Sequence, residues 1–221
     1  MADNFTRETL NRHREVMAVA DKKPVIADSC FIAPSANIMG TVEVGKKSSV
    51  WYGAVMNGDQ ASISVGSESI IKDLAMLTTG NGAVKIGNNV VIGAGAVING
   101  ATVEDDAVVG AGATLGDKVV VGKGAYVAPG ATVEPGTSVP AGQVFGGNPA
   151  AALRALSEEE TAQLSAAKGA YVELGTYHME ELRKSALEIE QDKSDRKWDE
   201  ERSQDYDSHI GILQNTRAQV W

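Results

Sequence analysis

A repeat of six residues constrains the fold of this 221-residue chain more than any other feature of its sequence. An aliphatic or aromatic residue returns at every sixth position over residues 103–145: Val103, Val109, Leu115, Val121, Val127, Val133, Val139 and Phe145. A period of six fits neither a helix of 3.6 residues per turn nor the alternation of a hairpin. It is typical of a solenoid whose short strands each contribute one inward side chain before a corner. The sequence therefore predicts an all-β solenoid, a parallel β-helix built from hexapeptide repeats.

The same spacing continues upstream, with three interruptions. The further repeat positions are Ile26, Ile32, Ile38, Val44, Val50, Val65, Ile71, Leu77, Ile86, Ile92 and Ile98. The period is lost over residues 51–64, an insertion rich in Gly and Asn follows Leu77, and one residue is missing between Ile98 and Val103. Loops that leave a solenoid often carry its function. We expect the solenoid to span residues 24–150.

Residues 1–23 lack the repeat and form an N-terminal arm or helix in our prediction. Leu10, Val16, Met17 and Val19 could line one side of a short helix that ends before Pro24. Such a segment either packs on the body of its own chain or docks onto a partner, and the sequence leaves both alternatives open.

A C-terminal helix within residues 151–190 is predicted to lie along the solenoid. Ser157 and Glu160 have the spacing of a capping box, with acidic residues at the positive end of the helix. Gly169 and Gly175 weaken the pattern. Residues 191–221 are dense in mixed charge and are predicted to form an extended tail. An apolar stripe predicts the contact face of the helix: Leu164, Ala167, Tyr171, Leu174, His178 and Leu182.

Composition excludes several classes of function. The net charge of −9 argues against nucleic acid or an anionic lipid surface as a partner. Cys30 is the single cysteine, so an intrachain disulfide is excluded. No apolar run approaches the ~20 residues that a membrane-spanning helix requires.

Histidine is missing from the repeat region. The three histidines, His13, His178 and His209, all lie outside it. A catalytic zinc ion needs three protein ligands around an open position, and acyl transfer needs a general base that is usually His. Solenoid residues supply neither arrangement, and a lone His178 on an apolar helical stripe is more often a packed residue. The sequence therefore predicts no catalytic residue, no bound metal and no cofactor.

Five internal motifs carry a specific resemblance: residues 49–59 (SVWYGAVMNGD), residues 71–73 (IKD), residues 92–100 (IGAGAVING), residues 102–105 (TVED) and residues 146–150 (GGNPA). Over about residues 12–217 the chain resembles the γ-class carbonic anhydrase family. Arg12-His13-Arg14 near one end, and Asp205-Tyr206-Asp207-Ser208 near the other, are similar to the ends of the γ-carbonic anhydrase subunits of mitochondrial NADH:ubiquinone oxidoreductase (complex I).

The resemblance implies that this chain has lost the family's zinc ligands. Thr78, Ala94 and Asn99 stand where active members have the three histidines. Asp59 and Asp73 retain acidic residues of the family. Two carboxylates without a metal cannot bring the pKa of a water molecule close to neutrality, so we expect them to cap turns or to pair across a subunit boundary. Asn57 replaces the family's Arg and Lys72 replaces its Gln.

The family's fold implies a left-handed β-helix that assembles as a trimer with zinc sites at subunit boundaries. Each zinc site would take two ligand positions, those of Thr78 and Asn99, from one subunit. The third ligand position, that of Ala94, would come from the neighbouring subunit. A mixed trimer with one such chain would then hold at most one zinc ion.

The leading interpretation is a non-enzymatic, zinc-ligand-deficient subunit of a heterotrimer with other γ-carbonic anhydrase-type subunits. It would be peripheral to the mitochondrial inner membrane, on the matrix side, and would contact membrane-arm subunits of complex I to support assembly or stability. The alternatives are an active γ-type carbonic anhydrase with unconventional ligands and a hexapeptide-repeat acyltransferase.

Overall fold

The computed structural model describes residues 15–19 and 21–201, in two compact units that divide after Met179. The described helices are α1 (Glu158–Arg183) and α2 (Ala186–Glu201). The described strands, in chain order, are β1 Val16–Met17, β2 Val25–Ile26, β3 Phe31–Ile32, β4 Asn37–Val44, β5 Ser49–Val50, β6 Val55–Val65, β7 Ile70–Ile71, β8 Met76–Thr78, β9 Val84–Ile86, β10 Val91–Ile92, β11 Val97–Asn99, β12 Thr102–Val103, β13 Val108–Val109, β14 Thr114–Leu115, β15 Val120–Val121, β16 Tyr126–Val127, β17 Thr132–Val133, β18 Ser138–Val139, β19 Gln143–Gly147 and β20 Ala150–Ala155.

The strands form a left-handed parallel β-helix with three faces, as predicted. Face 1 consists of β3, β5, β7, β10, β13, β16 and β19, and β20 adds to it antiparallel. Face 2 consists of β1, the first halves of β4 and β6, and then β8, β11, β14 and β17. Face 3 consists of β2, the second halves of β4 and β6, and then β9, β12, β15 and β18.

The predicted repeat positions point into the prism and form its core. In the regular coils Val103 pairs with Val121, and Val121 pairs with Val139, because three hexads of six residues make one turn. All three side chains are buried. A column of identical aliphatic positions therefore runs through the solenoid, and small alanines at the corners, such as Ala96 and Ala113, are also fully buried. Burial of this apolar surface stabilises the fold at roughly 25 cal/mol per Å².

The interruptions of the repeat all occur at the corner between faces 2 and 3. Strand β6 runs through this corner with three more residues than its neighbour β4, opposite which the register shifts between Gly40 and Val42. Residues 51–64 therefore lose the six-residue period. In the next coil the chain makes a loop, here called the corner loop (residues 79–83). In the following coil only Gly100 and Ala101 separate β11 from β12. The missing residue and the insertion are therefore neighbours in space.

The N-terminal segment differs from the helical prediction where the structure describes it. Val16–Met17 form strand β1, which pairs in parallel with Ile38 and Met39 of β4. Val19 makes an isolated bridge with Lys22. The edge of β4 has unpaired backbone N–H and C=O groups. An extended segment can form hydrogen bonds with these groups, whereas a helix cannot. The predicted helix is wrong for Val16, Met17 and Val19, and Leu10 lies outside the described residues.

Helix α1 packs against face 1, as expected, but it begins later than residue 151 and makes the contact with only part of the predicted stripe. Residues 150–155 form β20, and the capping box then starts the helix: the Ser157 N–H donates to Glu160 Oε2 over 3.0 Å, and the Glu160 N–H donates to Ser157 Oγ over 3.2 Å. Leu174 and Leu182 of the predicted stripe remain largely exposed. The residues of α1 that are buried or packed on the solenoid are Leu164, Lys168, Tyr171, Val172, Gly175, His178 and Met179.

Gly175 lies in the contact between α1 and the solenoid, although the sequence suggested that it only weakens the helix. A Cβ atom at this position would lie 3.3 Å from Ser49 Cβ. The missing side chain allows the helix to approach β5 closely. Lys168 is also buried, and its Nζ donates to the Asp106 carbonyl oxygen over 2.6 Å. Burial lowers the pKa of the Lys168 ammonium group.

The second compact unit contains a helix where an extended tail was predicted. Helix α2 covers residues 186–201, so the prediction of extended structure is wrong for residues 191–201. A second capping box explains its start: the Ser185 N–H donates to Glu188 Oε2 over 2.6 Å, and the Glu188 N–H donates to Ser185 Oγ over 3.3 Å. The spacing from Ser185 to Glu188 is the local sequence signal for this start. Within the described residues, neither helix is long and apolar enough to cross a membrane.

Candidate functional site

A cavity of about 270 Å³ opens on face 2 at its corner with face 3, where β8 and β11 end and β6 continues into face 3. The parallel register aligns Asn57 with Thr78 and Thr78 with Asn99, so three positions that are 21 residues apart stand side by side. Two of these are predicted positions of lost zinc ligands. The lining residues are Asn57, Asp59, Gln60, Thr78, Thr79, Gly80 and Asn99.

Hydrogen bonds connect the polar side chains at the floor of the cavity. Thr78 Oγ1 donates to Asn99 Oδ1 over 3.2 Å. Asn57 Oδ1 accepts the Asp59 backbone N–H over 3.0 Å. All three side chains are half-buried. The two side chains at the positions of lost ligands therefore bond to each other.

Asp59 contributes the cavity's carboxylate. Its Oδ1 is buried and has no hydrogen-bond partner among the described residues. Lys22 lies close by, but its Nζ donates to the backbone carbonyl oxygen of Asp59 over 2.6 Å. A buried carboxylate oxygen without a donor is costly in free energy. Asp59 Oδ1 can therefore accept a further hydrogen bond.

The corner loop forms one wall of the cavity. Asn81 Nδ2 donates to Asp117 Oδ2 over 2.8 Å, across the shortened coil that contains Gly100. The other oxygen, Asp117 Oδ1, is buried and has no partner in the described part of the chain. Gly80 has a φ of +44°, and a Cβ there would overlap Asn99 Oδ1 and come within 2.5 Å of Asp117 Oδ1. Only glycine permits this close approach of the loop to the floor.

Ala94 and Asp73 lie at the opposite end of face 2, at its corner with face 1. The Gly95 N–H donates to the Asp73 carbonyl oxygen over 2.8 Å, so the two turns stack on neighbouring coils. Ala94 is exposed. Within one chain the predicted positions therefore divide into two groups, with Thr78, Asn99 and Asp59 at one corner and Ala94 and Asp73 at the other. Such a division is what a site shared between two chains requires.

Sequence profiles identify the repeats and the C-terminal region. The profile of the bacterial transferase hexapeptide repeat matches residues 100–135, and that of the succinyl-transferase hexapeptide repeat matches residues 83–116. The profile of the C-terminal domain of mitochondrial gamma carbonic anhydrase 1 matches residues 162–221.

Whole-length relatives decide the family. Gamma carbonic anhydrase 2, mitochondrial, of Arabidopsis thaliana is 46% identical over 220 residues, which cover 96% of this chain and 79% of the relative. The chain belongs to the γ-carbonic anhydrase family. Gamma carbonic anhydrase-like 1, mitochondrial, of the same plant is 42% identical over 188 residues, which cover 81% of this chain and 75% of the relative. A solved hexapeptide transferase family protein from Anaplasma phagocytophilum is 34% identical, with a TM-score of 0.70 over 72% of this chain and 95% of that one.

The side chains of this γ-carbonic anhydrase family member do not fit a zinc ion. Zinc is bound by imidazole, thiolate and carboxylate groups, and a catalytic site needs three of them. The positions in question carry a hydroxyl in Thr78, a methyl group in Ala94 and a carboxamide in Asn99. The described residues contain no group of three His, Cys, Asp or Glu side chains that could hold a metal ion.

His178 lies in an aromatic cluster under α1 and does not line the cavity. Its Nδ1 is 3.2 Å from Tyr52 Oη, and its ring centroid is 5.0 Å from that of Trp51 and 5.5 Å from that of Phe31. These contacts match the expected role as a packed residue. Lys72 also points to the helix, with Nζ 3.7 Å from the centroid of the Tyr171 ring.

Sequence reasoning missed four residues of the cavity and its wall, namely Gln60, Thr79, Asn81 and Asp117. The sequence indicates that the Gly-rich insertion after Leu77 is a loop, but it does not indicate which residues the loop contacts. No local pattern connects Asn81 with Asp117, which is 36 residues away. Only the stacking of coils brings the two side chains together.

Proposed function

We propose that this chain is a non-catalytic structural subunit of a heterotrimer with other γ-carbonic anhydrase-type subunits. The heterotrimer is attached to the membrane arm of complex I, on the matrix side of the mitochondrial inner membrane, and supports assembly or stability. Family membership and the mitochondrial names of its relatives support this placement. So does the similarity of its two ends to complex I subunits of the family.

The hydrogen bond between Thr78 and Asn99 carries the proposal that the chain is not an enzyme. Carbonic anhydrase chemistry of this family requires a metal that lowers the pKa of a bound water molecule. Thr78 and Asn99 are neutral, and the Thr78 hydroxyl donates to Asn99 Oδ1 at the floor of the cavity. Among the described residues, Asp59 is the one ionisable side chain that lines the cavity. A single carboxylate is insufficient to replace a three-ligand zinc centre.

An exposed apolar surface supports the proposed role in assembly. At the corner that carries Ala94, Leu74 is 71% exposed at a φ of +57°, and Met76, on the outer side of β8, is 43% exposed. Tyr52 of the same corner is 38% exposed. Exposed apolar side chains that cluster on one side of a protein mark contact sites for other proteins. In the proposed heterotrimer this corner faces the cavity corner of a neighbouring subunit.

A hydration assay tests the catalytic part of the proposal. The purified chain, supplied with Zn²⁺, is compared by stopped flow with a γ-carbonic anhydrase that retains all three histidines. We expect CO2 hydration at the uncatalysed rate for this chain and rapid turnover for the comparison enzyme. Metal-dependent hydration by the isolated chain would contradict the proposal.

The size of the native particle tests the assembly part. The tagged chain is purified from mitochondria in mild detergent, and its partners are identified by mass spectrometry. We expect a membrane particle much larger than three copies of this 23.1 kDa chain, containing other family members and complex I subunits. Recovery of only a free homotrimer would contradict it.

A hexapeptide acyltransferase is the competing function, because a solved relative of similar fold is described as a hexapeptide transferase. Acyl transfer needs a general base within hydrogen-bond distance of the acceptor. In the described part of the chain the one histidine, His178, is packed among aromatic rings. Thermal stabilisation of the chain by acetyl-CoA would favour this alternative, and an unchanged melting temperature would argue against it.

A further inference from the structure

The sequence contains three Asn-Gly dipeptides, and the fold places all of them around the cavity on face 2. They are Asn57-Gly58, Asn81-Gly82 and Asn99-Gly100. Asn57 and Asn99 line the cavity, and Asn81 lies in the corner loop that forms its wall. Glycine offers the least steric hindrance to a reaction between its own backbone nitrogen and the preceding side chain.

We propose that Asn81 is a modification site, at which the side-chain amide converts spontaneously to a carboxylate and weakens the attachment of the corner loop. The Gly82 nitrogen loses its proton and attacks Asn81 Cγ. The new N–C bond closes a five-membered succinimide as the side-chain nitrogen leaves with a proton as ammonia. Water then opens the ring at either carbonyl, which yields aspartate or isoaspartate. The overall reaction consumes one water molecule and releases one ammonia molecule.

Asn57 is protected by its position in a strand. Asn57 and Gly58 belong to β6, and Gly58 is buried and pairs with Gly40 of β4. Asn57 Oδ1 is engaged by the Asp59 N–H. Rotation of the side chain toward the Gly58 nitrogen would break that bond within a ladder that is paired on both edges.

Asn99 is protected in the same way by the neighbouring coil. The buried Gly100 donates its N–H to the Thr78 carbonyl oxygen over 3.0 Å, and Asn99 Oδ1 accepts from Thr78 Oγ1. Both groups that would react are therefore held by Thr78. Release of either one requires local separation of two coils.

Asn81 is held by an exposed side-chain bond, from its Nδ2 to Asp117 Oδ2, and by a turn within the corner loop. Its side chain is exposed, and the Gly82 N–H donates to the Thr79 carbonyl oxygen within the corner loop itself. Opening of this turn frees the Gly82 nitrogen without disturbing the ladder of β8 and β11. Local opening of a surface loop costs much less free energy than separation of core strands. Asn81 should consequently react before the other two asparagines.

The product would change the interaction that holds the loop. Asn81 Nδ2 donates to Asp117 Oδ2 over 2.8 Å, and an Asp at position 81 has no donor to offer when ionised. Two carboxylates at this distance repel each other, and Asp117 Oδ1 already lacks a partner among the described residues. The modified corner loop would move away from Asp117 and widen the cavity.

Peptide mapping of the folded protein tests the site. The full chain is incubated at mildly alkaline pH and 37 °C, digested, and analysed by mass spectrometry that separates aspartate from isoaspartate. We expect conversion at Asn81 while Asn57 and Asn99 of the same molecules remain amides. Faster conversion at Asn57 or Asn99, or no conversion at Asn81 while the unfolded chain converts readily, would overturn the proposal.

Gly82→Ala is a matched control that the structure permits. A Cβ at Gly82 would lie 3.6 Å from the Gly100 carbonyl oxygen, which is ordinary contact. The methyl group hinders attack by the nitrogen, so we expect conversion at Asn81 to slow several-fold with an unchanged melting temperature. The same change at Gly58 would bring a Cβ within 2.6 Å of the Thr41 carbonyl oxygen, so it is unsuitable as a control. Equal rates in Gly82→Ala and the parent chain would overturn the proposed attack by this nitrogen.

Exchange of the amide and the carboxylate between positions 81 and 117 tests whether their hydrogen bond holds the corner loop. Asn81→Asp should lower the melting temperature and increase proteolysis in the corner loop. Asn81→Asp combined with Asp117→Asn should reverse both effects, because the hydrogen bond returns with donor and acceptor exchanged. An unchanged melting temperature in the single variant, or no recovery in the double variant, would show that the bond between Asn81 and Asp117 does not hold the loop.

Discussion

Thr78 Oγ1 and Asn99 Oδ1 are 3.2 Å apart on neighbouring coils, at the two positions where active γ-carbonic anhydrases are expected to present histidines. A parallel β-helix keeps equivalent positions of successive coils about 4.8 Å apart, which suits two ligands of one metal ion. The scaffold for such a site is therefore present in this chain. What differs is the chemistry of the side chains that it carries.

Restoration of the three imidazoles should restore zinc binding. The triple variant Thr78→His, Ala94→His and Asn99→His should bind about one zinc ion per chain once it assembles as a trimer, because three imidazoles and a water complete a tetrahedral site. Elemental analysis after dialysis against a weak chelator measures the content. The control lacks Ala94→His and should retain much less zinc. Equal zinc content in both variants would show that Ala94 does not face the site.

Gly175 should be less tolerant of a side chain than Gly169. Gly175→Val places two methyl groups against Ser49 at the contact with β5, and overpacking of this kind costs about 1–3 kcal/mol. Gly169 has nothing within 4 Å of the added Cβ, so Gly169→Val should change stability by less than about 0.5 kcal/mol. Urea unfolding followed by circular dichroism measures both. Similar losses in the two variants would contradict the close approach of α1 at Gly175.

Variants of two glycines with positive φ should distinguish the stability cost of backbone strain from the cost of steric overlap. Gly95 has a φ of +65° with open space around it, so Gly95→Ala should cost about 1–2 kcal/mol from conformation alone. Gly80→Ala adds overlap with Asn99 and Asp117, and should cost about 1–3 kcal/mol more. Thermal unfolding of the two variants gives the difference. If Gly80→Ala were no more costly than Gly95→Ala, the corner loop would not lie against Asn99.

The start of α1 should depend on pH through Glu160. Hydrogen bonds from Arg154 and from the Ser157 N–H lower the pKa of the Glu160 carboxyl from 4.5 to about 2. The unfolded chain therefore binds this proton more readily than the folded chain between these values. The resulting stabilisation is complete above pH 4.5 and is lost as the pH falls toward 2.

Glu160→Gln should make unfolding less dependent on pH over that interval, as measured by urea titrations at several pH values. Glu159→Gln is the control, because it removes the same charge from the first helical turn but leaves the pair between Arg154 and Glu160 intact. An equal change in the pH dependence of the two variants would contradict the role of the Arg154 contact.

The period of six determined the solenoid, because a residue that recurs after every corner can be buried only inside a prism. Every repeat position from Val103 to Phe145 is buried, as predicted. The capping box at Ser157 is likewise a local signal and is confirmed. The family resemblance, carried by motifs such as residues 92–100, is confirmed by the relatives.

Tertiary structure decided the features that depend on partners distant in sequence. Val16 and Met17 form a strand because the edge of β4 is free to pair with them. Helix α1 packs on the solenoid through the face that carries Lys168 and Gly175, because the outer surface of face 1 permits a close approach there. The cavity wall likewise depends on Asn81 reaching Asp117 across a shortened coil. A repeat specifies what points inward, but contacts on the outer surface are selected by the shape and hydrogen-bonding groups of the neighbouring coils, which local sequence does not encode.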